Sequence, residues 1–316
     1  MDTILIFGGS GCLGRHLIQI YKDSYKIVNF SRDEHKHWAL DQEIGVGKVQ
    51  HVIGDANDPI LVKQTLLKYQ PTMIFILHAL KHVDRCQENL HACIQTNLLS
   101  IKNVLDCIHE CSYQLSKLNK VMFTSTDKAP SPINVYGMCK AICEELMIEK
   151  ARYIQHIKFV IVRYGNVLNS TSSLLPALLK NTSDTYSITD IRMTRFWMTI
   201  EQACETILYA LEYGESGDII IPKLQSFYIK DIIEYIAKLK GKKVKIIGLR
   251  PGERLYETLI NDTQSIRTIE KESFYHIKPY YKNMILQEPF IYDSNTNIIT
   301  NTDNLITLFQ KIRVFI

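Results

Sequence analysis

The sequence predicts an α/β fold: a doubly wound parallel sheet with a smaller interleaved α/β lobe that binds substrate. Three observations carry this. Over the first half of the chain, short runs that are apolar nearly throughout alternate with longer stretches of helical periodicity. Strands apolar on both faces belong to a parallel sheet covered on both sides. A glycine-rich turn, Gly8-Gly9-Ser10-Gly11-Cys12-Leu13-Gly14, follows the first apolar run directly, and beyond Arg163 the alternation loosens into polar, turn-like segments.

In chain order, the expected strands are Thr3–Phe7, Lys26–Phe30, Val49–Ile53, Met73–Leu77, Val121–Ser125 and Phe159–Arg163. Helical spacing marks Cys12–Lys22, Pro59–Tyr69, Asn89–Cys111 and Asn134–Tyr153 between them. Asn169–Ser173 and Asn181–Ser187 read as turns, Ile200–Tyr213 as a helix and Asp218–Ile221 as one more strand. A helix at Ile229–Lys240, a short strand at Val244–Ile247 and a mixed tail follow. This divides the chain into a dinucleotide-binding domain of residues 1–165 and 200–224 and a substrate-binding lobe of 166–199 and 225–316.

Composition narrows the function. With 316 residues, 46% hydrophobic and 22% charged, the chain is long enough for one large core, and a net charge of +4 is too weak to suggest nucleic acid or a membrane surface. No apolar run approaches the ~18 residues of a membrane span, and Met1-Asp2-Thr3 lacks a signal-peptide start, so a soluble cytoplasmic protein is expected. The cysteines at 12, 86, 93, 107, 111, 139, 143 and 204 form no Cys-x-x-Cys motif. Free thiols are therefore expected, with neither disulfides nor a metal site. The sequons at Asn29, Asn169, Asn181 and Asn261 are chance matches on the same logic.

Strand, glycine turn, helix is the context of a Rossmann-type dinucleotide site, in which the backbone approaches a pyrophosphate at a helix N-terminus. Gly8, Gly11 and Gly14 show the wider G-x-x-G-x-x-G spacing of short-chain dehydrogenases/reductases, and Ser10, Cys12 and Leu13 lie on the same turn. The second strand ends Phe30-Ser31-Arg32-Asp33. A hydroxyl and a guanidinium suit the 2′-phosphate of NADP, which is favoured over NAD, while Asp33 is either a NAD ribose contact or a helix cap. Asp55, followed by Ala56, is either an adenine contact or a turn aspartate.

Tyr136-Gly-Met-Cys-Lys140 places a phenol and an ammonium on one helix face. A cation that lowers the tyrosine pKa lets it take a hydroxyl proton while hydride leaves for nicotinamide. Thr126-Asp127-Lys128 lies between strand and helix, and the added acid and base suggest proton transfers beyond those of a simple dehydrogenase. Lys128 reads either as a base, kept partly neutral by burial and by Lys140, or as a charged substrate anchor.

Thr124–Lys140 resembles the inverting UDP-N-acetylglucosamine 4,6-dehydratases, which are extended short-chain dehydrogenases/reductases. So do Ser31-Arg32-Asp33-Glu34, Ala79-Leu80-Lys81-His82-Val83, Arg163-Tyr164-Gly165-Asn166-Val167, Thr189–Trp197, Arg250-Pro251-Gly252-Glu253 and Tyr292-Asp293-Ser294. The chain departs from the family at Leu77-His78, where alanine is usual, and after Val167, where Leu168–Ser172 contains no glycine. The resemblance implies Thr126, Asp127, Lys128, Tyr136 and Lys140 as the catalytic set and Val167 as a cofactor contact. It implies a UDP-sugar held by Lys81, Asn166, Arg192, Arg250 and Glu253, with Arg195, Phe196 and Trp197 left as packing. It also implies UDP-N-acetylglucosamine as substrate and a homo-oligomer, dimer or hexamer, built on Asn89–Cys111 and Asn134–Tyr153. The competing readings are a sugar-nucleotide 4-epimerase or ketoreductase, and a silent NADP-binding regulator, against which Tyr136 and Lys140 count.

Overall fold

A computed structural model describes residues 1–168, 170, 174–250, 252–283 and 286–299. The expected turn at Asn169 and Thr171–Ser173, Pro251 of the Arg250–Glu253 motif, and the polar stretch from residue 300 lie outside the described residues.

The first half alternates as expected: β1 (Thr3–Phe7), α1 (Cys12–Tyr21), β2 (Lys26–Ser31), α2 (Glu34–Ile44), β3 (Val49–Ile53), α3 (Pro59–Tyr69) and β4 (Met73–Ile76). Then come α4 (Val83–Glu88), α5 (Leu90–Ile94), a π-helical turn (Gln95–Leu99), α6 (Ser100–Glu110), β5 (Lys120–Thr126), α7 (Val135–Tyr153) and β6 (Lys158–Tyr164). The second half runs β7 (Asn166–Val167), α8 (Leu174–Lys180), β8 (Thr185–Ile188), β9 (Thr194–Met198), α9 (Ile200–Tyr213), β10 (Ile219–Pro222), β11 (Gln225–Tyr228), α10 (Ile229–Lys240) and β12 (Lys243–Ile246). It closes with β13 (Thr258–Ile260), α11 (Asp262–Ser265), β14 (Thr268–Glu270), β15 (Phe274–Ile277) and β16 (Tyr292–Asp293).

The main sheet has the order β14-β15-β10-β6-β5-β4-β1-β2-β3. Its stretch from β10 to β3 is parallel. Order reverses between β1 and β4, the switch point at which such sheets open a ligand crevice at their carboxyl ends. Every residue of β1 and β4 is buried, because helices cover both faces. β14 and β15 join this sheet antiparallel, so residues 268–277 extend the larger sheet although the sequence assigns them to the smaller lobe. Their three- and four-residue lengths carry too little periodicity to be read.

The expected single helix Asn89–Cys111 is broken into α5, the π turn and α6. The π turn points Asn97 at the loop after β4, where its side chain accepts from the Leu80 N–H at 2.7 Å and donates to the Leu80 carbonyl at 2.8 Å. That local departure fixes the loop that carries Lys81. A separate apolar cluster joins Tyr186, Ile188, Trp197 and Phe227 to the inner face of α10.

Candidate active site

One large cleft of about 1210 Å³ runs across the switch point. At its cofactor end, α1 begins at Gly11, which offers no side-chain cap to the first-turn N–H groups. Those donors and the positive end of the helix are left for an anion. Gly14 is required by close approach: a Cβ there would lie 2.5 Å from Gly9 Cα. Gly8, Ser10, Gly11, Cys12, Leu13 and Gly14 all line the cleft, as do Ser31, Arg32, Asp33, Asp55, Ala56 and Val167. These residues fit a dinucleotide.

Ser31 Oγ lies 3.1 Å from Ser10 Oγ and 2.5 Å from His37 Nε2, so a buried histidine orients the hydroxyl. Arg32 Nη1 reaches Asp55 Oδ2 at 3.4 Å. Asp33 caps α2, accepting from the Lys36 N–H at 3.1 Å and pairing with its ammonium, which holds its carboxyl below the usual range. Asp55 closes a turn by accepting from the Asn57 backbone N–H and side chain, both at 2.9 Å. The cap and the turn are thus the local roles of these two carboxylates.

At the reaction end, α7 starts at Asn134, whose side chain accepts from the Gly137 N–H at 2.9 Å and donates to the Gly252 carbonyl at 3.1 Å. Gly137 permits contact with the preceding loop, since a Cβ there would lie 2.3 Å from the Lys128 carbonyl oxygen. Tyr136 and Lys140 therefore face the cleft together with Thr126, Asp127 and Lys128.

The electrostatics differ from expectation in two places. Lys140 donates to the Thr124 carbonyl at 2.8 Å, and burial pulls its pKa down to about 8. Burial pushes Tyr136 up to about 12, and the opposing influences are the Lys128 cation and a hydrogen bond with Thr126. Lys128 reads from the sequence as a partly neutral base or as a charged anchor. Burial does oppose its charge, but the carboxylates of Asp127 and Glu257 outweigh burial and hold its pKa above the ordinary value. Its Nζ lies 2.9 Å from Asp127 Oδ1 and 3.2 Å from Glu257 Oε1. Asp127 Oδ1 also accepts from Thr126 Oγ1 at 3.0 Å, while the buried Oδ2 has no hydrogen-bond partner among the described residues.

Of the expected sugar-nucleotide residues, Lys81, Asn166 and Glu253 line the cleft. Arg192 and Arg250 do not. Arg192 is held by Asp190 on the surface through two hydrogen bonds of 3.0 and 2.8 Å. Arg250 is exposed, with its backbone N–H donating to the Glu253 carboxylate at 3.1 Å. Sequence reasoning missed His78, Arg195 and Glu257, all of which line the cleft. A lone glutamate and an arginine beside aromatic residues give no spacing signal; only the quoted Thr189–Trp197 segment pointed near one of them.

The chain matches the model of the polysaccharide biosynthesis protein family over residues 4–279. It is 34% identical over 290 residues to the inverting UDP-N-acetylglucosamine 4,6-dehydratase of Campylobacter jejuni subsp. jejuni serotype O:2, covering 89% of this chain and 84% of that one. It is also 34% identical over 292 residues to the UDP-glucose 4-epimerase of Rickettsia bellii, covering 87% and 82%. Among solved structures, Pen from Bacillus thuringiensis superposes with a TM-score of 0.89 at 26% identity, covering 98% and 97% of the two chains.

Proposed function

The chain belongs to the polysaccharide biosynthesis protein family of extended short-chain dehydrogenases/reductases, and on that premise we propose that it is a C5-inverting UDP-N-acetylglucosamine 4,6-dehydratase. The observation that carries this is the hydrogen-bonded Asp127–Lys128 pair set beside Tyr136 inside the cleft. An epimerase needs the phenol but has no chemical use for that pair. The glycine turn with Ser31 and Arg32 would hold the cofactor, NADP in this reading, which would supply reversible hydride transfer, out at C4 of the sugar and back at C6. Tyr136 takes the C4 hydroxyl proton. Lys128 removes the C5 proton that the 4-ketone acidifies as Asp127 protonates the departing C6 hydroxyl, and once C6 has been reduced a proton returns to C5 from the opposite face, which inverts that centre. The pair already holds the right number of protons for this. Moving one from Lys128 to Asp127 along their 2.9 Å contact yields a neutral amine and a carboxylic acid together, with no change in net charge.

Asn166, Lys81 and Glu253 support a UDP-sugar in the remaining part of the cleft. Apolar side chains exposed on α5 and α7, namely Leu90, Ile94, Met138 and Ile142, support a homo-oligomer. No helix among the described residues is long and apolar enough to cross a membrane. The test is NMR of the product formed from UDP-N-acetylglucosamine in deuterated water. The expected product is UDP-2-acetamido-2,6-dideoxy-β-L-arabino-hex-4-ulose, with a C6 methyl group and deuterium at C5. A C4 epimer with intact C6 hydroxyl would instead establish the epimerase that the Rickettsia relative's name suggests.

A further inference from the structure

Glu257 lies 4% exposed at the floor of the cleft, its Oε1 3.2 Å from Lys128 Nζ and 3.4 Å from Arg195 Nε. Its backbone is fixed on both sides: the N–H donates to Ser294 Oγ at 3.0 Å and the carbonyl accepts from the Ser294 N–H at 2.8 Å. Ser294 Oγ in turn meets Thr194 Oγ1 at 2.8 Å. Arg195 is pinned by backbone carbonyls, donating to Thr194 at 2.7 Å, Leu255 at 3.2 Å and Arg254 at 3.1 Å, which leaves Nε for Glu257. The Thr189–Trp197 and Tyr292-Asp293-Ser294 motifs therefore converge on one carboxylate. Asp127 and Glu257 match Lys128 and Arg195 in formal charge, and the two cations oppose the rise that burial imposes on the Glu257 carboxyl. Buried charges persist only when so matched.

We propose that Glu257 is a positioning residue of the reaction centre: shared between Arg195 and Lys128, it holds the Lys128 ammonium beside Asp127 and governs how readily that amine gives up its proton. The consequence for turnover rests on the dehydratase reading; the effect on Lys128 does not. Lys128 is faced by Asp127, Glu257, Arg195 and Tyr136. Of the two carboxylates, Asp127 is the one that can receive its proton in the elimination. Glu257 bonded to Nζ opposes that transfer, whereas Glu257 drawn fully onto Arg195 permits it. In the transfer one N–H bond breaks, one O–H bond forms on Asp127, and no other group changes charge.

The test is trace acetic anhydride labelling of the full chain near pH 8.5, read by mass spectrometry with exposed Lys240 as internal standard. Only the neutral amine reacts. Glu257→Gln removes a carboxylate at 3.2 Å and raises the Lys128 rate about tenfold or more, since a contact of that kind is worth at least about one pKa unit. Arg195→Met leaves Glu257 to Lys128 alone and lowers the rate; Glu257→Asp keeps it near wild type. In turnover, Glu257→Gln moves the basic requirement for Lys128 to lower pH, a shift that mere loss of packing does not produce. Unchanged labelling in Glu257→Gln, or a rise in both Glu257→Gln and Arg195→Met as a loosened fold would give, overturns the proposal. Should Glu257→Gln fail to fold, the sign for Arg195→Met decides alone. Labelling needs neither cofactor nor substrate, so it stands apart from the product NMR that decides the dehydratase reading.

Discussion

Gly8, Ser31, Arg32 and Asp55 come from three successive strand-to-helix turns along one edge of the sheet, whereas Asp127, Arg195, Glu257 and Ser294 come from four stretches far apart in the chain. The charges at the two ends are also held differently. The Arg32 and Asp55 side chains are 57% and 45% exposed at a separation of 3.4 Å, while those of Arg195 and Glu257 are 9% and 6% exposed at 3.4 Å. Equal spacing thus means opposite things. The exposed pair is worth at most about 1 kcal/mol and can part to receive a ligand. The buried set cannot lose one member without stranding another. The cofactor end is therefore adaptable and local, and the reaction end rigid and dependent on long-range closure.

The largest effect expected is chemical. Tyr136→Phe keeps the fold and loses on the order of 10²–10⁴ in turnover, the worth of a positioned general base. Near-normal turnover by the product assay would show that the C4 proton leaves by another route.

The long-range closure has its own test. Arg163 is fully buried and grips Glu144 through bonds of 2.9 and 2.6 Å, while donating to the Leu259 carbonyl at 2.7 Å and to Gln264 at 2.8 Å. It thereby ties α7, which carries Tyr136 and Lys140, to the segment just beyond Glu257. Arg163→Met strands the Glu144 carboxylate and should cost about 3–5 kcal/mol, seen as a lower urea midpoint. Adding Glu144→Leu should restore most of it. A single-variant loss under about 1 kcal/mol would mean that the two segments do not depend on this tie.

This contrast also decides what was legible. The glycine turn, the Tyr136–Lys140 pair and the Asp127–Lys128 pair are fixed by spacings within one turn or helix, so their placement in the cleft follows from local pattern. Glu257 reaches Lys128 only because β13 pairs with β16 and Ser294 ties both to Thr194, none of which leaves a periodic mark. The sequence leaves Lys128 open between a partly neutral base and a charged anchor for the same reason: Lys140 is visible in sequence and Glu257 is not. Helix α2 was passed over because its hydrophobic face is weak, with only His37, Leu40 and Ile44 buried.

His78 gives a smaller effect that joins the two ends. Its Nε2 lies 2.7 Å from Ser100 Oγ, and burial, with help from Lys140 and Arg32, pushes its pKa down to about 4. The native state keeps the ring neutral where the unfolded chain, with a pKa of about 6.5, binds a proton. Unfolded chains then carry more protons, so stability rises with pH across this window and is lost as pH falls from about 6.5 towards 4. Between pH 7 and pH 5 the loss from this residue is about 2 kcal/mol. His78→Gln should flatten that part of the urea-midpoint profile. An unchanged slope would show that His78 titrates alike in both states.

The smallest effect tests whether the cofactor end is as adaptable as its exposure implies. Arg32 leaves Asp55 at little cost, since their contact is long and solvated. A 2′-phosphate would then find Arg32 beside Ser31, whose hydroxyl is already oriented by Ser10 and His37. Asp33, the rival contact for a NAD ribose, is committed to capping α2. A charge-assisted hydrogen bond is worth roughly 1.5–3 kcal/mol, and solvent screening at a side chain this exposed brings the expectation to the low end. Arg32→Ala should therefore weaken NADP binding about tenfold in equilibrium titrations while leaving NAD within about twofold, and added salt should narrow the gap. Equal losses for both cofactors would mean that Arg32 supports the loop and does not read the phosphate. Discrimination would then have to come from the buried Ser10–Ser31–His37 chain, and the cofactor end would resemble the reaction end after all.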